Sequence, residues 1–159
     1  MKNNLSNMGL SACIANILAI NAIKRVCISP GSRNTPLTSS FQKNPFFKCP
    51  SHIDERSSCY FALGLSKYSL TPTIIVTTSG TAVANLLPAT IEADLSMVPL
   101  IIITADRPKR LVNTGENQTI KQHDILKDFV RDSIHLEAYK IDSTDLLYQK
   151  LQKLINRAN

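Results

Sequence analysis

The 159-residue chain has no tryptophan, and aromatic residues make up only 6% of it. Those few aromatics are not interleaved with basic residues, so no base-stacking surface of the kind that grips nucleic acid is present. The sequence lacks G-x-x-x-x-G-K-[ST], which removes a nucleotide-hydrolase phosphate loop, and no G-x-G-x-x-G follows a strand. Ser79 does not stand in a G-x-S-x-G elbow, so an acyl-transfer serine has no support. No apolar run reaches bilayer length. The stretch from Met1 to Leu5 carries neither the apolar run nor the cleavage site of a secretory leader, and a cytoplasmic location is expected. The four cysteines, Cys13, Cys27, Cys49 and Cys59, form no C-x-x-C pair and have no histidine at zinc-finger spacing. They read as small buried hydrophobes in a reducing compartment.

What is present is an ordinary globular composition: 43% hydrophobic, 19% charged, and a net charge of +6 from 18 basic and 12 acidic residues. The basic residues are scattered, with one tight cluster at Arg107, Lys109 and Arg110. Such a field suits small anionic substrates better than a polyanion or a membrane. The length fits one domain with a real core.

The order of elements predicts an α/β fold. Leu10 to Ile23 reads as a helix and Arg25 to Ser29 as a buried strand. Thr35 reads as an N-cap before Pro36, opening a helix to about Phe41. Phe46 to Ser51 reads as a second strand weakened by Pro50, and Asp54 caps a helix to about Leu70 in which Gly64 suggests a close approach to a neighbour. Thr73 to Thr78 is a strand, and Thr81 to Ser96 a helix that Pro88 should kink or break. Leu100 to Ile103 is the clearest strand. After a long polar loop come a short helix at Asp124 to Val130, a possible strand at Ser133 to Ala138, and a final helix from Ser143 to Arg157. Strands written as continuous apolar runs between helices indicate a mostly parallel sheet with helices on both faces.

Ligands of such sheets bind beyond the carboxyl ends of the strands. Those ends carry Ser29-Pro30-Gly31-Ser32-Arg33, His52-Ile53-Asp54-Glu55-Arg56, Thr77-Thr78-Ser79-Gly80-Thr81 and Thr104-Ala105-Asp106-Arg107-Pro108. The densest polar chemistry of the chain falls at one edge, which argues for one site. His52, Asp54 and Glu55 are poor metal ligands, because adjacent residues rarely point at one ion. On the residues alone, Glu55 serves equally as a helix N-terminal carboxylate, Arg107 as a solvated charge, and Thr81 and Asn85 as capping and packing residues.

The segments ISPGSRNTPL, HIDERSSCYFALGLSK, TSGTAVANLLPATIEA, PLIIITADRP and GENQTIKQ occur in that order. Together they resemble the pyrimidine-binding domain of thiamine-diphosphate enzymes, over roughly residues 10 to 157. DER followed by A-L-G, and TSGTA-x-AN, are shared loosely across those enzymes. SPGSR with TADRP and G-x-NQ resembles more closely the menaquinone-pathway synthases that join 2-oxoglutarate to isochorismate. The resemblance implies a pyrimidine-binding domain over residues 1–159. It implies Glu55 as the catalytic carboxylate hydrogen-bonded to the cofactor's pyrimidine, with Pro30, Thr81 and Asn85 beside that ring. Ser32, Arg33, Arg107, Asn117 and Gln118 match substrate-pocket positions, where guanidinium groups suit the carboxylates of isochorismate.

The same resemblance implies what the chain does not supply. A complete synthase is several times longer and binds Mg²⁺ and the cofactor's diphosphate through a separate domain with a G-D-G…N pattern, and no G-D-G occurs here. The pyrimidine domain also normally continues into one more strand. The chain is therefore expected to be the N-terminal part of a homo-oligomeric transferase, inactive alone and dependent on a diphosphate-binding domain or chain, with no metal ligand of its own. A truncated synthase is the favoured explanation. A free-standing pyrimidine-binding subunit of a two-chain oxoacid decarboxylase, and a noncatalytic module for an anionic metabolite, are the other readings.

Overall fold

A computed structural model describes residues 5–141 and 143–158. Met1 to Asn4, part of the stretch read for a leader, lie outside them. The architecture is a parallel sheet with helices on both faces. Strands β1 (Val26–Ile28), β2 (Thr73–Thr77) and β3 (Leu100–Thr104) run side by side in that order, all parallel. Helices α1 (Asn7–Ile20), α2 (Thr35–Lys43) and α3 (Glu55–Ser69) precede β2; α4 (Thr81–Ala84) and α5 (Leu87–Leu95) precede β3; α6 (Thr144–Ala158) closes the chain.

Alternation along the strands builds two cores. Val26, Ile28, Ile74 and Val76 face one way and meet Ile14 and Leu18 of α1, Phe41 of α2, and Leu147 and Ile155 of α6. Cys27 and Ile75 face the other way, against Cys59 and Ala62 of α3 and Leu86 and Ala89 around α5. Burial pushes the thiols of Cys27 and Cys59 up to about 11 and about 12, so these two are the inert apolar cysteines expected. Cys13 and Cys49 are only half-buried.

Several boundaries differ from the sequence reading for identifiable reasons. α1 begins at Asn7 because Ser6 caps it, accepting from the Gly9 amide at 3.0 Å, and it ends before Ala22, whose φ is +59°. The predicted strand at Phe46 to Ser51 survives as two isolated parallel bridges, Arg25 with Lys48 and Ile28 with Ser51. Its backbone still pairs with β1: Lys48 N donates to Lys24 O, Val26 N to Lys48 O, Ile28 N to Pro50 O and His52 N to Ile28 O, all within 3.0 Å. The rung absent from that series is the one Pro50 would donate, and proline has no N–H. The cap of α2 is Asn34 rather than Thr35, which is already helical. Gly64 lies on the exposed face of α3 with nothing within 4 Å of a Cβ placed there, so no close approach explains it within the chain.

Pro88 breaks the predicted long helix into α4 and α5, as expected. The predicted helix at Asp124 to Val130 is instead a set of three-residue turns (Lys127 N to Asp124 O, Phe129 N to Leu126 O), whose i to i+3 bonds replace those of an α-helix. Ser133 to Ala138 forms no strand; Leu136 and Ala138 reach the core, but the segment's backbone joins no ladder among the described residues. No helix among the described residues is long and apolar enough to cross a membrane.

Candidate functional site at the strand ends

The parallel register brings the ends of β1, β2 and β3 to one edge, because Ile28 pairs with Val76 and Val76 with Ile103. At the end of β1 the chain turns tightly about Asn34, which is fully buried. Its side chain accepts from the Gly31 amide at 2.7 Å and donates to the Ser29 carbonyl at 2.9 Å. Those bonds leave Pro30, Ser32 and Arg33 exposed on the rim. Gly31 has room for hydrogen alone, since a Cβ there would stand 2.7 Å from Thr78 Cβ. The turn after β1 therefore rests directly on the end of β2.

The split strand beside β1 delivers His52 and then the start of α3. Asp54 caps the helix, accepting from the Ser57 amide at 2.7 Å, and the Ser57 hydrogen bonds hold its carboxyl below the usual carboxylate range. Capping by Asp54 puts Glu55 in the first turn, half-buried. Asn85 Nδ2 donates to Glu55 Oε2 at 3.3 Å. Asn85 reaches that position because the Pro88 break ends α4 beside it. Two predicted site residues from separate segments thus meet. Thr81, the first residue of α4, is exposed on the same rim.

The ends of β2 and β3 are covered by the loop that follows β3. Gly80 takes φ +81°, and a Cβ there would be 3.0 Å from the Gln118 carbonyl, so glycine is required twice over. Ser79 Oγ donates to the same carbonyl at 3.2 Å. Arg107 is only 8% exposed, which removes the reading of it as a solvated surface charge. Its Nη2 donates to the Asn117 carbonyl at 3.0 Å, while its Nε finds no partner. Asn117 and Gln118 are held by their backbones with their side chains exposed, Gln118 at φ +53°. Among the described residues no hydrogen bond or ion pair links Ser32 or Arg33 to these groups.

Sequence reasoning missed two residues that fix this edge, Asn34 and Gln122. Gln122 is 7% exposed; its Oε1 accepts from Gly80 N at 2.9 Å and its Nε2 donates to Ala105 O at 2.8 Å. Asn34 lies inside the segment ISPGSRNTPL and Gln122 closes GENQTIKQ. A carboxamide within a loop motif, free to bond backbone on both sides, is the signal that was there to use.

Buried polar atoms without partners gather along this edge: Ser29 Oγ, His52 Nε2, Thr77 Oγ1, Thr78 Oγ1 and Arg107 Nε. Unpaired buried polar groups cost free energy and mark places where a ligand restores bonds. A half-buried carboxylate steadied by an amide, beside such donors, fits a nitrogen heterocycle that offers N–H. It also fits an anion at Arg107. Among the described residues, no three His, Cys, Asp or Glu side chains converge as a metal centre.

The family described as "Thiamine pyrophosphate enzyme, N-terminal TPP binding domain" matches residues 8–125. Curated relatives named 2-succinyl-5-enolpyruvyl-6-hydroxy-3-cyclohexene-1-carboxylate synthase match across most of the chain. The one from Haloarcula marismortui is 45% identical over 128 residues, 80% of this chain and 22% of its own length. That from Roseiflexus sp. is 41% identical over 152 residues, 96% of this chain and 26% of its own. That from Yersinia pseudotuberculosis is 43% identical over 136 residues, 86% and 24% respectively. The chain spans about a quarter of the length of these relatives.

Proposed function

The chain belongs to the thiamine pyrophosphate enzymes, as their N-terminal TPP binding domain, and from that premise we propose that it supplies the pyrimidine half of the site of a menaquinone-pathway synthase. The whole enzyme decarboxylates 2-oxoglutarate and adds the resulting carbon nucleophile to isochorismate. The domain occupies the whole chain, and the diphosphate and Mg²⁺ are held by another domain or chain. The assembled enzyme is a cytoplasmic homo-oligomer.

The observation that carries this reading is the bond from Asn85 to Glu55 at the strand-end edge. Thiamine diphosphate, when bound, supplies the carbon that attacks the 2-oxo acid. Glu55 holds the proton at N1′ of the aminopyrimidine, and Asn85 fixes which carboxylate oxygen faces the ring. Pro30 and Thr81 border that ring on the exposed rim. Arg107, buried with an unsatisfied Nε, pairs with a carboxylate of isochorismate, and Ser32, Arg33, Asn117 and Gln118 close around it. Removing such a charge from water strengthens its hold on an anion.

The test is to combine the chain with a complementing diphosphate domain and follow exchange of the cofactor's C2 proton by NMR. Glu55→Gln should slow that exchange by about a hundredfold or more. Arg107→Ala should weaken isochorismate binding while 2-oxoglutarate decarboxylation stays detectable. Unchanged C2 exchange in Glu55→Gln refutes the assignment. Tight isochorismate binding by the chain without cofactor or complementing domain favours the metabolite-binding module instead.

A further inference from the structure

We propose that Gln122 is a positioning residue whose side-chain amide sets where Arg107, Asn117 and Gln118 stand relative to the Glu55 half of the site; this rests on the reading of that edge given under Proposed function. The geometry is specific to a carboxamide. One end of the group must accept from Gly80 N and the other must donate to Ala105 O, at 2.9 and 2.8 Å. Those partners lie 42 and 17 residues away in the chain, on the turns that end β2 and β3. The residue is only 7% exposed, so losing the amide leaves its backbone partners poorly satisfied.

The consequence is carried by backbone. Gln118 O lies over Gly80 and accepts from Ser79 Oγ, and Asn117 O accepts from Arg107 Nη2. Gln122 is the only side chain among the described residues that bonds to both strand-end turns at once. With its amide in place, the segment from Asn117 to Gln122 is pinned at both ends over the sheet edge. Without it, that segment keeps only Ser79, Arg107 and its own Thr119 as side-chain donors to its backbone among the described residues, and Arg107 is the group the substrate needs.

Three variants of the 159-residue chain test this by amide hydrogen exchange and NMR. Gln122→Met keeps the shape and removes both bonds; protection at Gly80 should fall about tenfold or more. Protection at Ile74 to Val76 should hold, which excludes general unfolding. Gln122→Asn shortens the reach and should lose protection at Gly80 to a similar degree. Gln122→Glu gives the discriminating result. A protonated carboxyl can donate to Ala105 O and accept from Gly80 N, whereas a carboxylate cannot donate. The wild-type resonances of Asn117, Gln118 and Arg107 Nε should therefore return as pH falls below the pKa of that carboxyl, while Gly80 N, which either form can bond, stays protected. Desolvation sets that pKa above its ordinary value of about 4.3. Gly80 protection that is unchanged in Gln122→Met, or a Gln122→Glu chain without low-pH recovery, overturns the proposal. No ligand enters these measurements, so unchanged C2 exchange in Glu55→Gln with a complementing diphosphate domain would refute the function and leave the clamp standing.

Discussion

Residues 26–104 and residues 106–141 are held in place by different forces. The first stretch contains every β-strand among the described residues and four of the helices, and its strands β1 and β2 are fully buried. Apolar area removed from water and evenly spaced parallel ladder bonds hold it. The second stretch has only short three-residue helical turns, at Lys109–Leu111, Lys127–Phe129 and Ala138–Lys140. Polar side chains tie it down at Arg107, Gln122, and Glu137 with its cations, and a few apolar ones, Leu126, Leu136 and Ala138, rest on the cores. A sheet gives the site a rigid edge, and a loop anchored by individual hydrogen bonds brings substrate-facing groups to it. The two stretches should therefore fail differently, one globally and one locally.

The largest expected effect tests the first half of that contrast. Phe41 is fully buried, with its ring edge-on to Phe47 at a centroid distance of 5.0 Å. Phe41→Ala should cost about 3–5 kcal/mol of global stability in urea unfolding, since the surrounding helices cannot close the void. Exchange throughout the sheet should rise together. A loss confined to α2 would show that the sheet and its helices are not one cooperative unit.

A smaller effect is expected at the sheet edge within the first stretch, where the turn after β1 meets the end of β2. Gly31→Ala forces a methyl to within 2.7 Å of Thr78 Cβ, and Thr78 is buried at the end of β2. The φ of Gly31 is −158°, which any residue adopts, so the cost is one of space alone. Overpacking of this kind costs about 1–3 kcal/mol. Combining it with Thr78→Gly should return most of the loss; an additive double variant would show that the turn after β1 does not rest on Thr78.

The same contrast governs how much could be read from the amino acids. Ile74-Ile75-Val76 and Leu100 to Ile103 announce strands because burial on both faces demands unbroken apolar runs, and Asp54 and Pro88 announce a helix start and a helix break. Phe46 to Ser51 was half legible: a strand weakened by Pro50 was expected, and the chain there pairs with β1 only in isolated bridges because Pro50 removes the rung that would make it a strand. The resemblance implied that Glu55 and Asn85 stand beside one ring, and their side chains share a hydrogen bond. Gln122 was legible only as a carboxamide in a loop motif; which backbone it bonds was not, because a contact 42 residues away leaves no period in the sequence. The segment Ser133 to Ala138 alternates like a strand, but alternation reports only which side chains turn inward, and pairing needs a free ladder beside it.

The smallest effect concerns the far end of the polar-anchored stretch. Glu137 is bonded by Lys140, its nearest partner, and lies 3.5 Å from His135 Nε2 and 4.0 Å from Lys109 Nζ. The Lys140 bond, helped by Tyr139, draws the Glu137 carboxyl down from 4.5 to about 2. A carboxyl whose folded-state pKa is depressed contributes stability that is fully present above its unfolded pKa. That contribution is lost as pH falls through the folded value. The window is therefore the interval between 4.5 and about 2. Across it the turn at Ala138–Lys140 should loosen from Lys109 while the sheet amides stay protected. Glu137→Gln should remove that pH dependence and leave the midpoint of sheet unfolding nearly unmoved, because ion pairs to exposed lysines such as Lys109 and Lys140 contribute little to global stability. If Glu137→Gln instead shifted the unfolding of the whole sheet, the loop would be part of the same cooperative unit. The division drawn between the two stretches would then fail at the place where it predicts the least coupling.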